Sequence, residues 1–190
     1  MVDPGHGGGD PGAIVGGIEE KDINMLIAER MVDLSARFPR IEIALTRTGD
    51  YGVSLLDRIE LAEEVGACCY LSVHANSYGD PAVEGAETFL AESSPRNEKN
   101  LQLARTIQRA LVAETGAKDR GTRSRRLYTR WISAPAVLVE TGFLTSPAEK
   151  EKLTDPNYQK KIALGLLKGL DDFIGRYVQE GGSLAEGSDE

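Results

Sequence analysis

The pattern of apolar and polar residues predicts an α/β domain of three layers, with a mixed, mostly parallel central sheet of about six strands flanked by helices. Two observations carry that prediction. Short apolar runs such as Cys68 to Val73 and Ala136 to Glu140 have the length and composition of buried strands. Between such runs, apolar residues recur at three- and four-residue spacing, as Ile23, Leu26, Ile27, Met31 and Leu34 do, which marks helices with one buried face. Sequential βαβ crossovers are then expected to be right-handed.

In chain order, Val2 and Asp3 leave room for only a short strand before the glycine-rich DPGHGGGDPG. A helix is expected from Glu19 to about Arg37, with Glu20 in its first turn, where the helix dipole favours a carboxylate. After Pro39, the alternation of Ile41, Ile43 and Leu45 predicts a strand, followed by a loop over Thr46 to Tyr51. Ser54 caps a short helix carrying Leu55, Ile59, Ala62 and Val65, which leads through Gly66 to the Cys68 to Val73 strand.

Glu87 to Ala91 is β-like, and Asn97 to Thr115 is helical with Gly116 as its stop. The basic segment from Lys118 to Arg130 predicts a loop. Ala136 to Glu140 predicts a buried central strand that delivers Glu140 to the sheet edge. Ser146, Pro147 and Glu149 read as a capping box with proline at the first helical position. The last helix starts at Asp155 and Pro156 and ends near Tyr177 or Val178. The domain is expected over residues 1–178, with a disordered tail over 179–190.

Composition limits the function. The chain of 190 residues has a net charge of −8, against the basic face that phosphate binding requires, so a nucleic-acid partner is not expected. No apolar stretch reaches the roughly 20 residues of a membrane span, and no secretory signal is visible. The almost absent first strand suggests an excised or truncated domain. Cys68 and Cys69 are adjacent within an apolar region, a position for core residues rather than a disulfide framework.

Chemistry concentrates at three places: His6 in DPGHGGGDPG, Glu20 in GGIEEKDIN and His74 in LSVHAN. These are the chain's two histidines and a carboxylate, each beside a turn or strand-end signal, where ligands of open α/β sheets gather. Two imidazoles and one carboxylate suit zinc and leave one coordination position open for hydrolysis. Each has a plainer reading: a histidine hydrogen-bonded in a turn, or an acid at a helix start. Glu19 competes with Glu20 for the ligand role. Gly7, Gly9 and Gly12 spell GxGxxG, but Pro11 interrupts it and no helix opens from it, so a nucleotide site is disfavoured.

The segments VDPGHGGGDPGA, EKDIN, TRTGDYGVSLLDR, SVHAN, GAETFL and PAVLVETGFLT occur in that order, and the chain from Val2 to about Tyr177 resembles the zinc-dependent N-acetylmuramoyl-L-alanine amidases of the Amidase_3 type. The resemblance implies one Zn²⁺ per chain on His6, Glu20 and His74, with Glu140 as the catalytic carboxylate. It implies peptidoglycan as substrate, the amide between N-acetylmuramic acid and L-alanine as the bond cut, and the bacterial cell envelope as location. An activator or a wall-binding module in the parent protein would fit. Asp3 and Asn76 are candidates to orient the ligand loops, and Arg120, Arg123 and Arg130 to form a wall for substrate carboxylates. Relatives under strict control carry an inserted helix that plugs the site, and the stretch from Asn76 to Glu87 is too short for one. A zinc peptidase acting on stem peptides and a non-catalytic wall-binding module are the competing functions.

Overall fold

A computed structural model describes residues 1–179. In chain order the elements are β1 (Val2–Pro4), β2 (Ile14–Val15), β3 (Ile18–Glu19), α1 (Glu20–Ser35), α2 (Leu55–Glu64), β4 (Tyr70–Asn76), β5 (Ala86–Ala91), α3 (Asn97–Thr115), β6 (Asp119–Arg125), a 3-10 helix (Tyr128–Trp131), β7 (Ala136–Phe143), α4 (Pro147–Thr154) and α5 (Pro156–Gln179). The main sheet has five strands in the order β1-β4-β7-β5-β6, and β2 and β3 form a separate hairpin. β1, β4 and β7 run parallel, while β5 runs antiparallel to β7 and parallel to β6. The carboxyl ends of the three parallel strands therefore share one edge with the start of β5.

Two expectations about strands and loops are corrected. The Ile41 to Leu45 segment makes only an isolated bridge, Val2 to Leu45, because its partner β1 is three residues long and ends in a proline that has no N–H to donate. The Lys118 to Arg130 segment is not a loop. It supplies edge strand β6 and the 3-10 helix, which its run of arginines concealed.

Alternation along the strands sorts residues onto two faces. Leu71, Val73 and Ala75 of β4 and Val137 and Val139 of β7 point back into the main core with α1, α3 and α5, where Ile27, Met31, Ile107, Leu111, Ile162 and Leu166 are fully buried. Each such side chain contributes roughly 1.5–3 kcal/mol by leaving water. Tyr70 and Ala136 face forward onto a smaller cluster with Ala62 of α2 and Ile132, so the third layer is thin.

Local chemistry sets the helix ends. Ser54 and Asp57 form a reciprocal capping box on α2, and Gly116 ends α3 in the left-handed conformation at φ 69°. Pro147 takes the first turn of α4, but the expected capping box there is absent: Glu149 accepts from the backbone N–H groups of Gly85 and Phe143 instead. Those two bonds tie the start of β5 to the end of β7. The β4–β5 connection contains no helix. Of the tail expected over 179–190, Gln179 belongs to α5, and 180–190 lie outside the described residues.

Candidate metal centre

His6 leaves the end of β1 in the left-handed region at φ 63°, a conformation that costs a non-glycine residue of order 1 kcal/mol and is held by its surroundings. Arg58 of α2 donates to the His6 carbonyl at 2.8 Å, and Arg47 donates to the carbonyls of Pro4 and Gly5 at 2.9 and 3.2 Å. Glu20 is the first residue of α1 and His74 lies near the end of β4, so helix start and strand end both feed the loop that carries His6. The imidazole rings meet nearly edge-on, with centroids 4.9 Å apart.

His6 Nε2 and His74 Nδ1 lie 3.2 and 2.9 Å from the same oxygen, Oε1 of Glu20, and one donor atom from each residue falls within a 4.8 Å group. Donors bound to a tetrahedral zinc at about 2.0–2.2 Å stand roughly 3.3–3.5 Å apart, so the set fits that ion after small adjustments. The second Glu20 oxygen accepts from the Ala13 N–H at 3.0 Å, which fixes the carboxylate. His6 Nδ1 faces Asp10 Oδ2 at 2.8 Å, the outer carboxylate that ligating imidazoles commonly have.

Close approach demands glycine at two positions. A Cβ on Gly5 would stand 2.2 Å from the His74 ring, and one on Gly12, at φ 66°, would stand 2.6 Å from Glu20 Oε2 and 2.7 Å from the His6 ring. The hydrogen bond to Glu20 raises the pKa of His6 to about 9. Burial pushes the Glu20 carboxyl upward, but hydrogen bonds from His6 and His74 outweigh it and hold the group well below the usual carboxylate range.

Glu140 stands across β4 and β7 from His74, and Glu87 stands across β7 and β5 from Glu140, so the three form one row on the front face. Burial, reinforced by the nearby carboxylates of Glu20 and Glu87, raises the Glu140 pKa to about 7. Its Oε2 is buried with no hydrogen-bond partner. An orphaned carboxylate oxygen beside a converging donor set is placed for proton transfer.

The other anticipated residues fall elsewhere. Asp3 does not meet the His6 ring. It is fully buried and accepts from Thr46, Ser72, Tyr128 and Arg58, because its side chain points to the front face beside β4. Asn76 Nδ2 donates to Glu87 Oε1 at 3.1 Å rather than to a ligand. Arg120 and Arg123 approach Glu87 at 3.3 and 3.5 Å, and Arg130 stacks on Trp131 at 4.8 Å. Glu19, the competitor of Glu20, pairs with Lys21 at 3.2 Å.

Sequence reasoning missed Asp10, Arg47, Arg58 and Glu87. The motifs DPGHGGGDPG, TRTGDYGVSLLDR and GAETFL contain them, but nothing in their spacing shows which backbone or side chain they meet.

The pattern of the N-acetylmuramoyl-L-alanine amidase family matches residues 1–172. The chain belongs to that family. The N-acetylmuramoyl-L-alanine amidase LytC of Bacillus subtilis (strain 168) is 34% identical over 173 residues, which cover 89% of this chain and 34% of LytC. The crystal structure of an N-acetylmuramoyl-L-alanine amidase from Clostridium difficile 630 superposes with a TM-score of 0.86 at 31% identity, covering 95% of this chain and 96% of that one. The CwlD amidase of Clostridioides difficile, solved in complex with the GerS lipoprotein, gives 0.84 at 28% identity, covering 92% and 97%. Membership of an amidase family accords with a site that joins a convergent donor set to a buried carboxylate.

Proposed function

We propose that this domain is a zinc-dependent hydrolase that cleaves the amide between the lactyl group of N-acetylmuramic acid and L-alanine in peptidoglycan. The observation that carries the reading is the row of His74 and Glu140 on adjacent strands, with His6 and Glu20 converging on His74. Zinc, when bound by His6, Glu20 and His74, supplies Lewis acidity toward the amide carbonyl and acidifies water in the site. Glu140 takes the proton of the attacking water and returns it to the leaving nitrogen. Its pKa near 7 suits both halves of that transfer. Asp10 orients the His6 ring, and the Ala13 N–H holds Glu20 in place.

The β4–β5 connection lacks a plugging helix, which supports a site open to substrate without that form of autoinhibition. The reading places the protein in the bacterial cell envelope. An activator or a wall-binding module in a longer parent protein would act on this domain from outside; the similar CwlD amidase is found in complex with the GerS lipoprotein.

The test is digestion of purified peptidoglycan by the domain and by Glu140→Ala, with zinc content measured on both and products identified by mass spectrometry. Free stem peptides beginning at L-alanine, released only by the zinc-loaded unmutated protein, are expected. Cleavage within the peptide would make the domain a wall peptidase. Bound zinc without any release would make it a binding module or an enzyme that needs an activator.

A further inference from the structure

Charge is distributed unevenly about the centre. On the β1 side, the carboxylates of Asp10 and Asp50 are 67% and 57% exposed, with Asp10 paired to His6 and Asp50 to Lys21, each at 2.8 Å. Across the sheet, beyond Glu140 and Glu87, strand β6 presents Arg123 and Arg125 to solvent, and Arg126 follows just beyond its end. β6 packs against α3 on its back. On its front, the Arg125 guanidinium lies 4.3 Å over the Phe89 ring, whose strand position faces Leu138 of β7. Phe89 and Leu138 are only 2% and 8% exposed. The result is an arginine-bearing face of β5 and β6 beside the catalytic row, laid over buried Phe89 and Leu138.

The arginines of this face are not equivalent. Arg120 is committed to the protein: it approaches Glu87, donates to the Glu84 carbonyl at 3.4 Å and stacks over Phe143. Arg130 stacks on exposed Trp131. Arg123 keeps one long contact to Glu87, at 3.5 Å, and its side chain is 55% exposed. Arg125 makes a ring contact that occupies none of its N–H donors.

We propose that Arg123 and Arg125 form a subsite for a carboxylate on the peptide side of the scissile amide, so that the peptide crosses β5 and β6 while the uncharged glycan extends toward the acidic β1 edge. This rests on the amidase reading and adds the orientation of the substrate. Adjacent strands stand about 4.8 Å apart, and the register sets Arg123 opposite Phe89 and Leu138, two residues along β7 from Glu140, so its backbone lies roughly 12 Å from that of Glu140 and its side chain spans part of that distance. An extended peptide advances about 3.3–3.6 Å per residue, so the carboxylate recognised belongs to the second or third residue after the amide. The reverse orientation would carry that carboxylate to the β1 edge, where the cation Lys21 is already held by Glu19 and Asp50.

The experiment compares an N-acetylmuramoyl tripeptide bearing free carboxylates with the same molecule amidated at those groups. Affinity for zinc-loaded Glu140→Gln protein is measured by calorimetry, so binding is read without turnover. The acid form is expected to bind about tenfold more tightly, a preference that vanishes in the Arg123→Gln, Arg125→Gln double variant while affinity for the amidated form stays the same. Arg105→Gln, on exposed α3, should leave both affinities unchanged, and thermal melts report whether each variant folds. A double variant that keeps the preference, or loses affinity for both ligands alike, overturns the proposal. Hydrolysis of peptidoglycan by protein with Glu140 intact is followed in parallel. If no muramoyl amide is cut, the amidase reading fails, whereas the binding comparison still decides whether these arginines read a carboxylate.

Discussion

Replacing Gly5 by alanine perturbs the His74 ligand with little other disturbance. Gly5 is not in the left-handed region, so alanine meets no backbone penalty there. Its Cβ would stand 2.2 Å from Cε1 and Nε2 of His74, and ordinary contact begins at 3.4 Å, so ring and methyl must separate by about 1.2 Å. The backbone cannot retreat easily: Gly5 N–H donates to Val73 O at 3.0 Å, and its carbonyl accepts from Arg47 and Asn24, each at 3.2 Å. The half-buried ring moves instead. Zinc ligands tolerate errors of about 0.2 Å, so a displacement of this size removes one of three protein donors. Zinc affinity should fall at least about 100-fold, near 2.7 kcal/mol. The assay is competition with a chromophoric chelator, with circular dichroism and a melting curve confirming the fold. A folded Gly5→Ala protein that holds zinc within threefold of the unmutated affinity would refute the packing argument and the role of His74 together.

Five further outcomes are expected. Zinc uptake should expel close to one proton at pH 7, because His6 with a pKa of about 9 holds a proton that coordination must displace, and affinity should climb with pH until about 9; calorimetry in buffers of different ionisation heat reads the count. Asp10→Asn should weaken zinc binding by roughly 10- to 100-fold through loss of the carboxylate on His6 Nδ1, measured by the same chelator competition. Glu140→Gln should lower hydrolysis by about 10²–10⁴-fold with zinc content unchanged. The pKa of Glu140 rises from 4.5 to about 7 on folding, so the native state binds the extra proton and loses stability as pH climbs through that window. Zinc-free Glu140→Gln should therefore exceed the unmutated protein by up to about 3 kcal/mol at pH 8 and match it below pH 4.5 in urea titrations. Asp3→Asn should cost about 3–5 kcal/mol by leaving buried Arg58 without its counter-ion, a loss that denaturant melts at pH 7 would show.

The residues that make strands and helices by their own pattern were legible in the chain. α1, α3 and α5 follow the spacing of their apolar residues, and β4 and β7 their short apolar runs, because these elements bury a face against one core. The two histidines and Glu140 stand out because chemically distinctive residues sit where such runs stop, whereas the choice of Glu20 over Glu19 comes only from the resemblance of EKDIN to the family motif. β6 was not legible: an edge strand with an open front face has no need of apolar alternation, and its arginines look like a solvated loop. Ile41 to Leu45 failed in the opposite sense, having a strand's pattern but a partner too short to pair with it. Sequence alone thus determined which segments bury apolar surface and which side chains could bind a metal. Tertiary structure decided that Asp10 backs His6, that Arg47 and Arg58 hold the loop carbonyls, that Glu87 anchors Arg120, and that arginines rim one side of the site only. Those relations depend on hydrogen bonds and charge contacts between side chains and backbone brought together by strand order and register, and the spacing of residue types along a chain does not encode them.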